Sequence, residues 1–308
     1  MALSLSNMVA DGKLAPELSN EVFERVSNES AIAKVAGRTE VSIRGTEVLI
    51  DTGKLRAAIV EEGQPKPTDQ FDLGLATIKP LKAAVIVPWT KETRLANPAG
   101  VLTRIKNKMV EAIHEQIDAA VMYGKSVKDN KQVPGLAYLN QTKTRVGLGS
   151  TTKANGGLTG DVVAGYSALG DKAVDLTGFV ADNSMRAQFL GATDLQGRPL
   201  YSDAVDLKSR MGNVLGLPVS YTPAVSGRYG TGNTDNGVRM FGGDFQKNLK
   251  FGFVEDINIK ITDTAYVGGV SLWETNQEAA LVEAIFGFYI NDVNNFVAYE
   301  NKTAGTGA

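Results

Sequence analysis

One 15-residue stretch, "VEEGQPKPTDQFDLG" from Val60 to Gly74, most constrains what this chain can fold into. It separates the apolar segment "LRAAIV" from a second apolar segment, "LATIKPLKAAVIVPW". Two prolines, a lysine and several acids make the join polar, so the pattern predicts a long hairpin with apolar limbs and a protruding tip. An isolated two-stranded hairpin is only marginally stable in water, and little of the remaining sequence is available to cover this one.

The returning limb of this hairpin contains Pro80 and Pro88. A proline lacks the backbone N–H that a central strand would donate to its neighbour, so we expect this limb at the edge of a sheet. Upstream, "TEVSIRGTEVLI" alternates in polarity and predicts a strand with Val41 and Ile43 on one face.

The clearest helix is predicted in "NPAGVLTRIKNKMVEAIHEQIDAAVMYG". Asn97 can cap its start, and Gly124 can end it in a left-handed conformation. From Val101 to Tyr123 it would run about 35 Å. Its apolar residues recur at spacings of three and four and form one stripe: Leu102, Ile105, Met109, Ile113, Ile117 and Val121.

Other segments give weaker patterns. "APELSNEVFERVSNESAIAKVAG" predicts an amphipathic helix with Leu18, Val22 and Val26 at four-residue spacing. "NVLGLPVSYTPAV" predicts a short strand that bends at Pro218, and "RMFGGDFQKNLKFGFV" predicts two short strands joined by a turn. "DINIKITD" alternates like a strand, on which the apolar stripe should pack together with the final strand. The pattern of "TNQEAALVEAIFGFYI" fits a helix and a strand equally.

Composition excludes several classes of function. With 308 residues and 43% apolar residues, the chain can bury the core of one large domain or two ordinary ones. A net charge of −2 argues against a dedicated nucleic-acid binder, and the absence of cysteine excludes disulfides, zinc–thiolate sites and thiol nucleophiles. The first residues lack the pattern of a signal peptide, and no apolar run is long enough to span a bilayer, so we expect no membrane partner.

The sequence contains no complete catalytic or metal-binding motif. His114 is the only histidine, and "HEQID" lacks the second histidine of a zinc-hydrolase helix because Asp118 stands there. We therefore interpret His114 as a residue of the polar helix face. No G-x-S-x-G turn is present, and the "DTG" that begins at Asp51 has no second copy. We expect a protein that is not an enzyme and has no catalytic, cofactor or metal site.

Arg104, Lys106 and Lys108 make the first half of the long helix basic. They fit a solvated helix face with an ion pair between Lys108 and Glu111. They also fit weak attraction to phosphate that ignores base sequence, so Arg104 and Lys108 are the candidate DNA-facing residues.

The order of segments resembles the major capsid protein of tailed phages, an α+β chain with the Hong Kong 97-type capsid fold. "AAIVEEGQPKPTDQFDLGLATIKPLKAAVIVPWTKE" is similar to the extended loop of that family, and the long predicted helix is similar to its spine helix. "FVADNSMRAQFLGATDLQGRPLY" followed by "NVLGLPVSYTPAV" resembles its axial domain, and "TNQEAALVEAIFGFYINDVNNFVAYE" resembles its long final strand. The resemblance therefore favours a strand for that ambiguous segment.

The resemblance implies a division of the chain into five parts. These are an N-terminal arm (1–38), the extended-loop region (39–92), a first part of the peripheral domain with the spine helix (93–134), the axial domain (135–255) and a second part of the peripheral domain (256–308). In that family the extended loop lies across a neighbouring subunit. The residues implied to make these contacts are Glu61, Glu62, Gly63, Pro65, Lys66, Pro67, Asp69 and Phe71.

The resemblance implies a subunit that self-assembles as hexamers and pentamers into the icosahedral head around double-stranded DNA. The alternative is an encapsulin-like compartment shell that holds an enzyme cargo; a soluble hydrolase is a third hypothesis. The family-like region begins almost at Met1. We therefore expect a separate scaffolding protein during assembly in the host cytoplasm, a portal protein, a candidate decoration protein and only non-specific contact with packaged DNA in the virion.

Some members of the family join a lysine of this loop to an asparagine of a neighbour. Lys66 is the lysine at the tip of this loop, and Asn291, Asn294 and Asn295 are the candidate partners, none of which matches the cross-linking site of the family. Because Lys66 lies between two prolines in a polar tip, we expect water access, a protonated amine and no cross-link.

Overall fold

One long helix and two sheets form the framework of the described part of the chain. The computed structural model describes residues 30–51, 57–61, 65–66, 68–69, 73–96, 101–201, 211–229 and 235–301. The helices are α1 (Ala31–Val35), α2 (Lys91–Ala96), α3 (Val101–Tyr123), α4 (Gly157–Gly170), α5 (Ser184–Leu190) and α6 (Phe245–Asn248). Short 3-10 turns lie at Leu139–Gln141, Lys153–Asn155, Pro223–Ser226 and Val293–Asn295.

The strands divide between the two sheets and two separate ribbons. In chain order they are β1 (Gly37–Arg38), β2 (Thr46–Asp51), β3 (Leu73–Ile78), β4 (Leu81–Thr90), β5 (Arg145–Leu148), β6 (Gly178–Ala181), β7 (Met211–Val214), β8 (Leu217–Tyr221), β9 (Val238–Gly243), β10 (Leu249–Thr262), β11 (Tyr266–Val267), β12 (Val270–Ser271), β13 (Gln277–Ile290) and β14 (Phe296–Asn301).

The four-stranded sheet has the order β1-β10-β13-β4. β10 and β13 are antiparallel strands of 14 residues each, so the ambiguous segment is a strand, as the resemblance favoured. Among the described residues, β4 pairs only with β13 and lies at the edge of this sheet, which confirms the expectation from its prolines. Pro88 is tolerated there because an edge strand has one side without ladder hydrogen bonds.

The helix α3 covers this sheet with its apolar stripe. Its predicted extent from Val101 to Tyr123 is confirmed, and Gly124 follows it with φ +63°, the left-handed conformation expected at its end. Met109 and Ile113 are buried in one core together with Ile259 and Val282 of the sheet. The predicted packing of the stripe is therefore also confirmed, whereas Asn97 lies outside the described residues.

The six-stranded sheet has the order β5-β14-β9-β6-β8-β7 and carries a second core with α4 and α5. Its strand β14 pairs in parallel with β5 and antiparallel with β9. The last strand of the chain therefore joins the sheet whose other strands come from residues 145–243. The six-stranded sheet therefore combines strands from both sides of the predicted boundary at residue 256. The division of the chain into domains stays a prediction.

Three local predictions are wrong. Residues 39–45 contain no strand, because Ser42 and Gly45 close a turn with Gly45 at φ +92°. The chain turns at Leu215 and Gly216, both with positive φ, so that β7 and β8 form a hairpin; Pro218 lies within β8. The strand after the turn that follows β9 is long, not short, because β10 gains a partner along its whole length in β13.

Candidate inter-subunit surface

β2 and β3 form a two-stranded antiparallel ribbon that belongs to neither sheet. The prediction that "LRAAIV" forms the first limb is wrong for its described part, since Ala57–Val60 has no regular structure. The returning limb pairs instead with Thr46–Asp51, in which Leu49 lies opposite Leu75. The segment "TEVLID" holds the β-branched residues that favour a pleated strand, whereas two alanines weaken the other candidate.

The ribbon presents apolar side chains that the rest of the described chain leaves uncovered. Leu49 is 64% exposed and its cross-strand partner Leu75 is 67% exposed. Leu73, at the far end of β3, and Ile59, beyond the end of β2, are exposed as well. A contiguous exposed apolar surface on a soluble subunit commonly marks a contact with another protein.

The tip of the arm is polar where the structure describes it. Glu61, Pro65, Lys66 and Asp69 are exposed, as their sequence context predicted. The other residues of the predicted contact set lie outside the described residues: Glu62, Gly63, Pro67 and Phe71. Charges and prolines at an exposed strand end hinder indiscriminate edge-to-edge pairing.

The root of the ribbon rests on the four-stranded sheet at two glycines. Ile78 and Val41 are buried there. A Cβ atom on Gly287 would lie 2.7 Å from Cγ2 of Ile78, and one on Gly252 would lie 1.9 Å from the carbonyl oxygen of Thr39. Any side chain at either position would displace the root, so these glycines let the arm leave the sheet at a fixed place.

The candidate cross-linking asparagines lie in the connection between β13 and β14. The backbone N–H of Asn291 donates to the carbonyl of Asn248, and the side-chain amide of Asn295 donates to the side-chain oxygen of Asn248 at 2.9 Å. Asn294 donates from its backbone and its amide to Asp292. Each of these asparagines therefore already has partners in its own subunit.

Arg104 and Lys108 lie one turn apart on α3, and both are exposed. Lys108 forms the predicted ion pair with Glu111, and this hydrogen-bonded pair raises the pKa of Lys108. Both basic residues border a hollow of about 260 Å³ whose apolar wall includes Val85 of β4. They share one side of the helix, as a four-residue spacing requires.

His114 is 4% exposed, so the interpretation that it belongs to a polar, solvated face is wrong. The physical reason is that elements other than the sheet also pack against α3: the short helix α1 and the 3-10 turns at Leu139–Gln141 and Pro223–Ser226. Sequence periodicity showed one apolar stripe and gave no indication that elements other than the sheet also cover the helix.

Asp118, one turn beyond His114, is the residue that sequence reasoning missed. Its carboxylate is 1% exposed and accepts hydrogen bonds from the hydroxyl of Ser30 at 2.8 Å and that of Thr222 at 3.3 Å. The backbone N–H groups of Ala31 and Ile32 also donate to it, at 3.3 Å each. Burial raises the pKa of Asp118 to about 6, while the hydrogen bonds act in the opposite direction. Asp118 thus ties α1 and the turn after β8 to the long helix.

The described residues were also compared with the requirements of a metal site and of a membrane-spanning helix. Among these residues, no group of three or more acidic or histidine side chains is arranged to hold a metal ion. No helix among them is both long enough and apolar enough to cross a bilayer. The exposed ribbon is therefore the most distinctive candidate for function.

Comparisons with known proteins show the family of the chain. The family model described as "Phage capsid family" matches residues 12–301. The "Probable major capsid protein gp17" of Mycobacterium phage D29 is 28% identical, and the alignment covers 96% of this chain and 92% of that protein. A solved chain of Gordonia phage Cozz is also 28% identical, with a TM-score of 0.75 over 89% of this chain and 87% of the other. A structure titled "Capsid of empty GTA particle computed with C5 symmetry" shares the fold at 14% identity, with a TM-score of 0.62 over 89% of this chain and 90% of that chain.

Proposed function

The chain belongs to the phage capsid family, and we propose that it is the major capsid protein of a tailed phage, the repeating subunit of the shell around the genome. The relative in phage D29 is named as a probable major capsid protein, and the alignment covers 92% of its length. A structural role in the wall of the virion accounts for a mixed helix-and-sheet chain whose most distinctive surface is an arm and not a cleft.

The single observation that carries this proposal is the uncovered ribbon. Leu49 and Leu75 are exposed on an arm whose root at Ile78 packs on the sheet at Gly287. A soluble subunit with such an arm gains stability when the arm rests on a second copy, because burial then removes the leucines from water. The tip, represented by Glu61 and Lys66, would reach across that neighbour.

We assign the finer architecture of the Hong Kong 97-type fold on the same grounds. α3 would be the spine helix, the four-stranded sheet with α3 the peripheral domain, the six-stranded sheet the axial domain and the ribbon the extended loop. The exchange of β14 into the six-stranded sheet would join the axial and peripheral parts through the end of the chain.

Assembly into hexamers and pentamers would make many modest contacts act together. Closure of a lattice turns each further contact into one within the same assembly, so that the whole is much more stable than any single interface. The proposal extends to a separate scaffolding protein, a portal protein, a candidate decoration protein, assembly in the host cytoplasm, and Arg104 and Lys108 as residues that face packaged DNA.

The alternative is a compartment shell around an enzyme cargo. No observation favours it, and the curated relative is named as a phage capsid protein. Electron microscopy of particles purified from the cells that produce them, together with their absorbance at 260 nm, separates the two. Closed shells that contain DNA are expected; shells filled with a second protein would support the compartment, and a protein that forms no shells would contradict both.

The role of the arm is tested by deleting residues 63–72. The expected product is a folded, soluble subunit that forms no closed shells. A point variant makes the test sharper: Leu75→Ser should impair assembly, whereas Leu195→Ser should not, because Leu195 is exposed to a similar extent (69%) but lies outside the ribbon. Normal shells from both the deletion and Leu75→Ser would exclude the arm as an inter-subunit contact.

A further inference from the structure

The sequence contains two Asn–Gly pairs, Asn155–Gly156 and Asn236–Gly237. In such a pair the backbone nitrogen of the glycine can attack the side-chain carbonyl of the asparagine, because the glycine has no side chain to hinder the approach. Both asparagines are exposed, so burial does not distinguish the two pairs. The hydrogen bonds that hold the reacting atoms do distinguish them.

The reacting groups of the second pair are held in place. The side-chain oxygen of Asn236 accepts a hydrogen bond from the backbone N–H of Val238 at 3.0 Å. The N–H of Gly237, whose nitrogen would attack, donates to a carboxylate oxygen of Asp235 at 2.9 Å. The carbonyl of Gly237 also accepts from the N–H of Asn301 at 2.9 Å. Attack at Asn236 therefore requires its side-chain carbonyl and the glycine nitrogen to lose their partners together.

The first pair lies at the end of a short 3-10 turn, Lys153–Asn155. The side chain of Asn155 makes no hydrogen bond with any other described residue. The N–H of Gly156 donates to the carbonyl of Lys153 at 3.2 Å, at the long end of the usual range. Such turns have poor hydrogen-bond geometry, and this one is exposed, so it opens at little cost.

The chain that follows the turn is also free of steric hindrance. Gly156 has φ +100° and Gly157 has φ +54°, so both residues adopt the left-handed region that glycine enters without strain. A Cβ atom on Gly157 would meet no other atom within 4 Å. The nitrogen of Gly156 and the side chain of Asn155 can therefore approach each other once the single bond to Lys153 has opened.

We propose that Asn155 is a site of spontaneous deamidation in the folded subunit. The backbone nitrogen of Gly156 attacks Cγ of Asn155, its proton passes through water to the side-chain nitrogen, and ammonia leaves. The product is a succinimide ring that joins the two residues. Water then opens this ring at one of its two carbonyl groups, so that one water is consumed and one ammonia is released overall.

The two directions of ring opening give different products. Cleavage of the bond to Cγ leaves an aspartate at position 155, with the main chain as before. Cleavage of the bond to the backbone carbonyl leaves an isoaspartate, whose main chain runs through the former side chain and is one atom longer. This modification goes beyond the assembly function and does not depend on it, because it requires only the folded chain and water.

The two products should affect the start of α4 differently. This helix begins at Gly157, two residues after Asn155, and a negative charge beside the N-terminus of a helix is favourable. The longer main chain of isoaspartate has little room, because a Cβ atom on Gly160 would lie only 2.7 Å from the carbonyl oxygen of Asn155. We therefore expect the aspartate product to keep the fold and the isoaspartate product to shift the first turn of α4.

The proposal is tested by incubating the full chain at mildly alkaline pH and mapping its peptides by mass spectrometry over time. Cleavage after Lys153 and Lys172 releases residues 154–172, in which Asn155 is the only side chain with an amide. Deamidation adds about 1 Da to this peptide, because –OH replaces –NH2. In the folded subunit the reaction at Asn155 should be at least about tenfold faster than that at Asn236, where more hydrogen bonds must open.

The chain unfolded in guanidinium chloride is the matched control. Both pairs lose their hydrogen bonds there and should react at similar rates. In the folded subunit, Asp235→Ala removes the acceptor of Gly237 and should speed the reaction at Asn236 while leaving that at Asn155 unchanged. Equal rates at the two asparagines of the folded wild type would overturn the proposal, and so would an Asn155 that reacts only in the unfolded chain.

A substitution separates the chemistry from its consequence. Asn155→Asp reproduces the aspartate product and should keep the circular dichroism spectrum and the melting temperature of the wild type. Asn155→Gln keeps an amide, but its longer side chain would have to form a larger ring, so the mass change in residues 154–172 should disappear. Persistence of that mass change in Asn155→Gln would show that another group reacts and would contradict the assignment to Asn155.

Discussion

Replacing Asp118 by asparagine should change how the stability of the subunit depends on pH. The carboxylate is 1% exposed and accepts hydrogen bonds from Ser30, Ala31, Ile32 and Thr222. Burial disfavours its charged form more than these hydrogen bonds favour it, and the pKa of Asp118 rises from 3.8 to about 6. The folded subunit therefore binds this proton more tightly than the unfolded chain does.

The direction and the size of the effect follow from that difference. The contribution of Asp118 to the free energy of unfolding is fully present below about pH 4 and is lost as the pH rises through about 6. At about 1.4 kcal/mol per pKa unit, a rise from 3.8 to about 6 corresponds to about 3 kcal/mol. Asparagine has a similar shape but does not titrate, so the variant lacks this dependence.

The assay is urea denaturation of the unassembled subunit at several pH values between 4 and 7. The difference in unfolding free energy, wild type minus Asp118→Asn, should fall by about 2 kcal/mol across that range, because part of the full effect is already lost at pH 4. Thr222→Val is the matched second variant: it removes one hydrogen bond that favours the charged form, so the transition should move to higher pH. A difference that rises with pH would refute the reasoning, because it would mean that the hydrogen bonds outweigh burial.

Three further predictions concern the core, the arm and the basic face. Ile113→Ala truncates a buried core residue and should lower the unfolding free energy by about 2–5 kcal/mol; an unchanged urea midpoint would contradict the packing of α3. Gly252→Ala would place a Cβ 1.9 Å from the carbonyl oxygen of Thr39, so it should lower the melting temperature and shift the root of the arm; calorimetry and microscopy that show no change would exclude that clash. Arg104→Glu with Lys108→Glu should reduce DNA retention without altering shell geometry; a capsid map with both side chains on the outer surface would show the proposed orientation to be wrong.

The sequence predicted best where the pattern was local and long. The apolar stripe of α3 recurs along a helix of 23 residues, and this helix has the predicted bounds. The segment Gln277–Ile290 was ambiguous because its first half holds Ala, Leu and Glu, which favour helices, and its second half holds aromatic residues, which favour strands. This segment is a strand because it pairs with β10 on one side and with β4 on the other. Local periodicity does not reveal such pairing.

The site was harder to predict because its contacts join distant parts of the chain. The returning limb of the ribbon could pair with either of two upstream segments. It pairs with Thr46–Asp51, whose β-branched residues favour a strand more than the alanines of the other segment do. The partners of Asp118 lie 88 residues before it, at Ser30, and 104 residues after it, at Thr222. From the sequence alone an acid on a helix indicates a solvated residue, since a buried carboxylate needs donors that only the folded chain brings together.

The last prediction is that mature particles contain no covalent cross-link through Lys66. An amide bond between a lysine and an asparagine forms when a neutral amine attacks the side-chain carbonyl and ammonia leaves; an amine in water near neutral pH is protonated and cannot attack. Lys66 is exposed in the subunit, and the amides of Asn294 and Asn295 are engaged with Asp292 and Asn248. Virions boiled in denaturant should therefore run as a single band near 32.8 kDa. A ladder of bands at multiples of this mass that disappears in Lys66→Ala would show that a neighbouring subunit shields this lysine from water. Non-covalent contacts of the arm alone would then not explain the stability of the shell.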